Sequence, residues 1–155
     1  MPSPKYCWDA CVFIAYLTGE PRAQGEVDGL FEVLDLVDRH QAVILTSTLV
    51  RTEVLDDPAH PDLATRLEGL FASPSCVAIE TNRAISEKAG RLRTACRAAG
   101  RSLKTPDALY LATALLNGAT AFHTFDGQLL GLSGLHEVDL LTICKPSGPQ
   151  TLLGL

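Results

Sequence analysis

The stretch from Ala108 to Leu116 constrains the fold more than any other. Its residues are apolar almost all round, with only Tyr110 and Thr113 breaking the run. A helix of this kind needs neighbours on every side, so it belongs in the middle of a domain. Its limits are sharply marked. Thr105 can cap, Pro106 suits the first helical position, and Asp107 falls in the first turn, where the helix dipole favours an anion. Asn117-Gly118 supplies the stop. The chain thus presents one carboxylate, Asp107, at the mouth of a buried helix.

The remaining segments show what surrounds that helix. Short apolar runs at 6–10, 42–46, 76–80, 121–124 and 137–143 read as strands. Between them, residues 10–18, 24–40, 48–55, 62–72 and 82–99 read as helices. Residues 24–40 carry Val27, Leu30, Phe31, Leu34 and Val37 at amphipathic spacing. Strands alternating with helices call for a parallel sheet covered on both faces. The expected fold is therefore α/β, a single-domain three-layer sandwich with a central parallel sheet. A length of 155 residues suits one such domain, and 46% hydrophobic residues exclude a disordered chain. The expected domain is 1–144, followed by a Pro- and Gly-containing tail at 145–155.

The five cysteines, Cys7, Cys11, Cys76, Cys96 and Cys144, are odd in number and form no CxxC pair. They read as reduced thiols of a cytoplasmic protein rather than a disulfide framework. Cys7 and Cys11 lack the two further soft ligands that zinc would need, and read as small buried hydrophobes. No secretory leader is expected at the start, and no apolar run is long enough to span a membrane.

In an open α/β sheet the functional crevice lies outside the carboxyl ends of the strands. Asp9 ends the first strand, Asp126 follows the fourth, Glu53 sits on the helix after the second, and Asp107 begins the central helix. Singly, each acid could be a cap, a turn or a solvated residue. Together, at corresponding ends of four βα regions, they read as one site. Clustered carboxylates without a matching Lys or Arg repel one another. A hard divalent cation relieves that repulsion, and all-oxygen ligation suits Mg²⁺ or Mn²⁺.

The order Asp9, Glu53, Asp107-Ala108, then Thr124-x-Asp126 resembles the PIN domain, and most of all the VapC-type toxins of bacterial toxin–antitoxin pairs. The segment Pro106-Asp107-Ala108-Leu109-Tyr110-Leu111-Ala112-Thr113-Ala114 is similar to that family's helix signature, and the likeness spans residues 7–142. Family members often carry an aromatic where this chain has Leu129. The resemblance implies a Mg²⁺- or Mn²⁺-dependent endoribonuclease that forms homodimers and is blocked by an antitoxin protein. It also implies a catalytic set of Asp9, Glu53, Asp107 and Asp126, with Asp9, Asp107 and Asp126 as metal ligands and Thr124 orienting the site.

A net charge of −5 hides one strongly basic segment. Arg83, Lys88, Arg91, Arg93, Arg97, Arg101 and Lys104 fall there with Glu87 as the only acid. Arg93 and Arg97 stand one helical turn apart, opposite Ile85, Ala89, Leu92 and Cys96. Any one of them could be a solvated residue. Running directly into Asp107, the segment reads as a track for an RNA backbone carried by Arg93, Arg97, Arg101 and Lys104, or as a receptor for an acidic antitoxin segment. Replacing Arg93 and Arg97 is expected to leave the fold intact.

Other chemistries fit less well. A haloacid-dehalogenase-like phosphatase wants a second Asp where this chain has Cys11. A response-regulator receiver wants paired acids near the first strand and a late Lys. His123 reads as a packed strand residue rather than a base. A PIN-like domain that binds RNA or protein without cutting is the alternative that activity data decide.

Overall fold

The computed structural model describes residues 2–138 and 141–149. Five parallel strands form the sheet: β1 (Lys5–Trp8), β2 (Val43–Ser47), β3 (Cys76–Ile79), β4 (Ala121–His123) and β5 (Thr142–Cys144). Their spatial order is β3-β2-β1-β4-β5, so β1 is central and the chain changes direction across the sheet between β1 and β4. Cys7 pairs with Leu45 on one side and Phe122 on the other, and Trp8 pairs with His123. The expected α/β sandwich with a central parallel sheet is the observed architecture.

Helices α1 (Ala10–Thr18), α2 (Gln24–Asp38), α3 (Val50–Glu53), α4 (Leu63–Phe71), α5 (Arg83–Ala98), α6 (Thr105–Leu116) and α7 (Gly127–Leu130) supply the crossovers and the covering layers. Helix α6 is the buried one. Ala108, Tyr110, Leu111, Ala112, Thr113 and Ala114 are all enclosed, packed against α5, β1 and β2. Its start differs by one residue from the expected one. Thr105 is the first helical residue, and Lys104 occupies the cap position without a side-chain bond. Pro106 and Asp107 keep their places in the first turn, where proline's missing N–H costs nothing. At the other end Gly118 takes φ +71°, a conformation that releases the chain into β4.

Two segments depart from the sequence reading. The helix after β2 spans one turn, Val50–Glu53, not residues 48–55. Val50, Thr52 and Val54 are β-branched, which lowers helix propensity, and Val54 is extended. Glu53 thereby ends a helical turn instead of lying mid-helix. The last strand is Thr142–Cys144, and Glu137 belongs to a 3₁₀ turn, His136–Val138. Asp139, within the expected strand 137–143, lies outside the described residues.

The residues following β5 lie on α2. Pro146, Ser147 and Gly148 are buried, Lys145 Nζ reaches Glu26 at 2.8 Å, and the Pro146 carbonyl sits over Gly29. Residues 150–155, the rest of the expected tail, lie outside the described ones.

Candidate active site

The site begins at the carboxyl end of β1. Asp9 follows Trp8 and caps α1, accepting a hydrogen bond from Val12 N at 3.3 Å. It is only 4% exposed. An N-cap contributes about 1 kcal/mol. Burying an ionised carboxylate costs several kcal/mol even after relaxation. Asn or Ser would cap at lower cost, so capping alone does not account for an aspartate here.

Both Asp9 oxygens are held. Cys11 Sγ donates to Oδ1 at 2.8 Å, and Thr124 Oγ1 donates to Oδ2 at 2.6 Å. Thr124, fully buried just past β4, also accepts from Asp126 N at 3.0 Å. One hydroxyl therefore ties the end of β1 to the end of β4, across the point where the strand order reverses. Burial raises the Asp9 pKa, the three hydrogen bonds lower it, and Asp126 raises it further.

Asp126 caps α7 through one oxygen, Oδ1, which accepts from Gln128 N at 2.8 Å and Leu129 N at 3.4 Å. Glu53 arrives from α3, and Tyr110 Oη donates to its Oε2 at 2.9 Å. Asp107 projects from the first turn of α6. The four carboxylates expected from the sequence line one open cavity of about 280 Å³, together with Cys11 and Tyr110. Burial and then the charges of Asp126, Asp9 and Glu53 push Asp107 up to about 6, against a small opposing pull from Lys104. Each of the other three carboxylates thus acts on Asp107.

The donor set fits a hard divalent cation. Asp126 Oδ2, Glu53 Oε1 and both Asp107 oxygens take no hydrogen bond among the described residues, and no Lys or Arg lines the cavity. Among the described residues, however, no three His, Cys, Asp or Glu side chains stand close enough, as placed, to grip one ion directly. The two observations agree for Mg²⁺, which takes one or two carboxylates directly and keeps several waters. A cavity of this size has room for those waters.

Two residues of the cavity were not singled out from sequence. Tyr110 lies three residues after Asp107, which puts both on one face of α6, so its position carried a readable signal. Cys11, read as a buried hydrophobe, is half-exposed and donates to Asp9. Its place two residues after Asp9, in the first turn of α1, brings it back toward the cap. His123 is packed within β4: its Nδ1 accepts from Trp8 Nε1 at 3.1 Å, it stacks on Tyr6, and burial pushes it down to about 3.

The basic residues lie on the other side of α6's entrance. Arg93, Arg97 and Arg101 line a cavity of about 180 Å³ at the α5–α6 turn. Arg93 is not the free, solvent-directed side chain that the sequence led one to expect: its Nε donates to Leu103 O at 3.0 Å and fixes that turn. Lys104 is exposed, three residues before Asp107, and its charge acts on that carboxylate.

The PIN domain family model matches residues 6–134. No curated protein matches the chain in sequence. Three solved structures share its architecture. VapBC2 from Rickettsia felis, bound to a promoter DNA fragment, matches at TM-score 0.67 and 15% identity, over 90% of this chain and 96% of that one. VapC20 from Mycobacterium tuberculosis, a Sarcin-Ricin loop cleaving toxin, matches at 0.63 and 18%, over 86% and 98%. A toxin–antitoxin complex from Klebsiella pneumoniae matches at 0.58 and 20%, over 91% and 97%. At these identities the likeness is one of fold. The family match runs from β1 through β4 and α7 and takes in all four acids of the cavity, and the chain belongs to the PIN domain family.

Proposed function

We propose that this PIN domain is a Mg²⁺- or Mn²⁺-dependent endoribonuclease that hydrolyses RNA phosphodiester bonds as the toxin of a toxin–antitoxin pair. The observation that carries the reading is the convergence of Asp9, Glu53, Asp107 and Asp126, from four βα regions, on one cavity without a balancing cation side chain. Asp9, Asp107 and Asp126 would hold the metal, one or two of them directly and the rest through its waters. A cation bound there would supply a water of lowered pKa and neutralise charge on phosphoryl oxygens. Thr124 and Cys11 fix the Asp9 carboxylate. Glu53, with Oε2 held by Tyr110, offers Oε1 to the proton of the attacking water. Arg93, Arg97, Arg101 and Lys104 contact the RNA.

An antitoxin protein is the proposed partner, supported by the two-component structures among the fold's neighbours. A homodimer acting in the cytoplasm completes the reading. No helix among the described residues is long and apolar enough to cross a membrane.

The test is cleavage of structured RNAs by purified protein with and without Mg²⁺ or Mn²⁺. Removing even indirect supports of a metal costs about 10–100-fold. Asp9→Asn and Asp107→Asn should each lose at least that much. Full activity in either variant would end the proposal, and RNA binding without metal-dependent cleavage would make the domain a non-cutting PIN module.

A further inference from the structure

We propose that Arg93, Arg97 and Arg101 form a phosphate-binding site that seats a backbone phosphate of single-stranded RNA beside the bond being cut. The inference rests on the endoribonuclease reading and adds where the strand lies.

The backbone brings the three guanidiniums together. Arg93 and Arg97 are one turn apart on α5. Helix α5 then ends on Gly100 at φ +71°, and Arg101 N returns to Cys96 O at 2.8 Å. That closing turn carries Arg101 back beside Arg97. Two of the side chains are held by backbone carbonyls: Arg93 by Leu103 O, Arg101 by Gly131 O. Each keeps further N–H donors free, since a guanidinium has five. The Arg97 side chain has no hydrogen bond or ion pair among the described residues.

Four of the six other arginines pair with a carboxylate, whereas among the described residues none of these three does. Arg22, Arg39, Arg51 and Arg83 stand 2.8, 3.1, 2.5 and 2.7 Å from a carboxylate. No carboxylate lines the Arg93–Arg97–Arg101 cavity. Glu137 acts on Cys96 together with Arg101, so one acid stands nearby without lining it. Like charges gathered in this way, in a protein of net charge −5, lack a counter-ion. Guanidinium forks match phosphate geometry.

Continuity with the acidic cavity indicates a ligand that is a chain of phosphates rather than an isolated anion. Arg101 and Ser102 also line a neighbouring cavity of about 260 Å³, whose other wall includes Gly127 and Gln128. Gly127 follows Asp126, which lines the acidic cavity. A strand can therefore run from the arginines past Ser102 and α7 to the carboxylates.

The test is the salt dependence of binding of labelled, mixed-sequence single-stranded RNA, in chelator so that nothing is cut. Each phosphate contact on a single strand contributes a slope of about −0.7. Arg97→Ala should flatten the slope by about 0.7, and the Arg97→Ala, Arg101→Ala pair by about 1.4, on the same relation. Arg91→Ala removes an equal charge from an exposed position of α5 outside the cavity and should leave the slope as in the parent. Inorganic phosphate should raise the melting temperature of the parent and not of Arg97→Ala. Equal losses in Arg91→Ala and Arg97→Ala would reduce the effect to general charge and overturn the site. So would an unchanged slope in Arg97→Ala, including the case where that variant instead releases a co-purified acidic protein. A parent that binds no RNA at all would overturn the nuclease reading, and the site with it.

Discussion

Tyr110 and Asp107 show how single residues are set by their surroundings. The Tyr110 hydroxyl is buried beside the cavity and has one carboxylate to donate to, Glu53. Tyr110→Phe removes that donor and little else. Cleavage should fall by about 10–100-fold, the scale of supports once removed from a metal. Adding Tyr110→Phe to Glu53→Gln should cost little more than Glu53→Gln alone, because Tyr110 acts through Glu53. Additive losses would show that Glu53 does not depend on Tyr110. Asp107 makes a prediction about pH in the metal-free protein. Its folded pKa of about 6 lies above the ordinary 3.8. Below the lower value the group is neutral in both states. Between the two, the unfolded chain releases its proton first, so folding stability falls as pH rises, and above the upper value the loss is complete. In chelator, Asp107→Asn should therefore melt higher than the parent at neutral pH, with the gain vanishing as pH falls toward 3.8. An equal difference at every pH would show that the other carboxylates do not act on it.

At the scale of elements, the helices differ in what their glycines face. Gly29 on α2 lies under the Pro146 carbonyl, and a Cβ there would collide with backbone. Gly90 in the middle of α5 has open space around it. Gly29→Ala should destabilise by about 1–3 kcal/mol, as overpacking does. Gly90→Ala should stabilise by about 0.5–1 kcal/mol through helix propensity. Denaturant melts of the two variants measure this directly, and stabilisation in both would show that the segment after β5 does not press on α2. The contact was not readable in advance. The alternation of apolar runs and the 24–40 periodicity revealed α2, but a glycine in a helix looks the same whether solvent or a distant carbonyl covers it. The one-turn α3 was obscured for a related reason. Its apolar residues match a longer helix, and only β-branching and the following Asp56-Asp57-Pro58 argue for an early stop.

For the whole molecule, the consequence of four facing carboxylates is that metal and fold are linked. A ligand at 100 times its Kd adds about 2.7 kcal/mol. Mn²⁺ should raise the melting temperature of the parent and raise it less in Asp107→Asn, whereas equal rises would put the metal elsewhere. Assembly is governed by which apolar surface is left over. The apolar stripe of α2 is largely spent on the core: Leu30, Val33 and Val37 are buried, and of the stripe Phe31 is 56% exposed. The proposed homodimer must therefore use other surface, and light scattering at micromolar concentration should show a dimer that survives Phe31→Ser. A monomer in the parent would refute the dimer.

By itself, the sequence determined the elements, the parallel sheet and the identity of the acids. Those properties are written in local patterns: hydrophobic periodicity, capping residues, and carboxylates placed at strand ends. Only the tertiary structure decided which of these groups face one another. The Thr124 hydroxyl on Asp9, the Tyr110 hydroxyl on Glu53, and the meeting of Asp9 with Asp126 across β1 and β4 join residues up to 117 positions apart. The bond between Arg93 and the Leu103 carbonyl was hidden as well, because the turn at Gly100 sets it and a helical face cannot. A hydrogen bond depends on distance and angle between groups, and those arise when the sheet order places β4 beside β1.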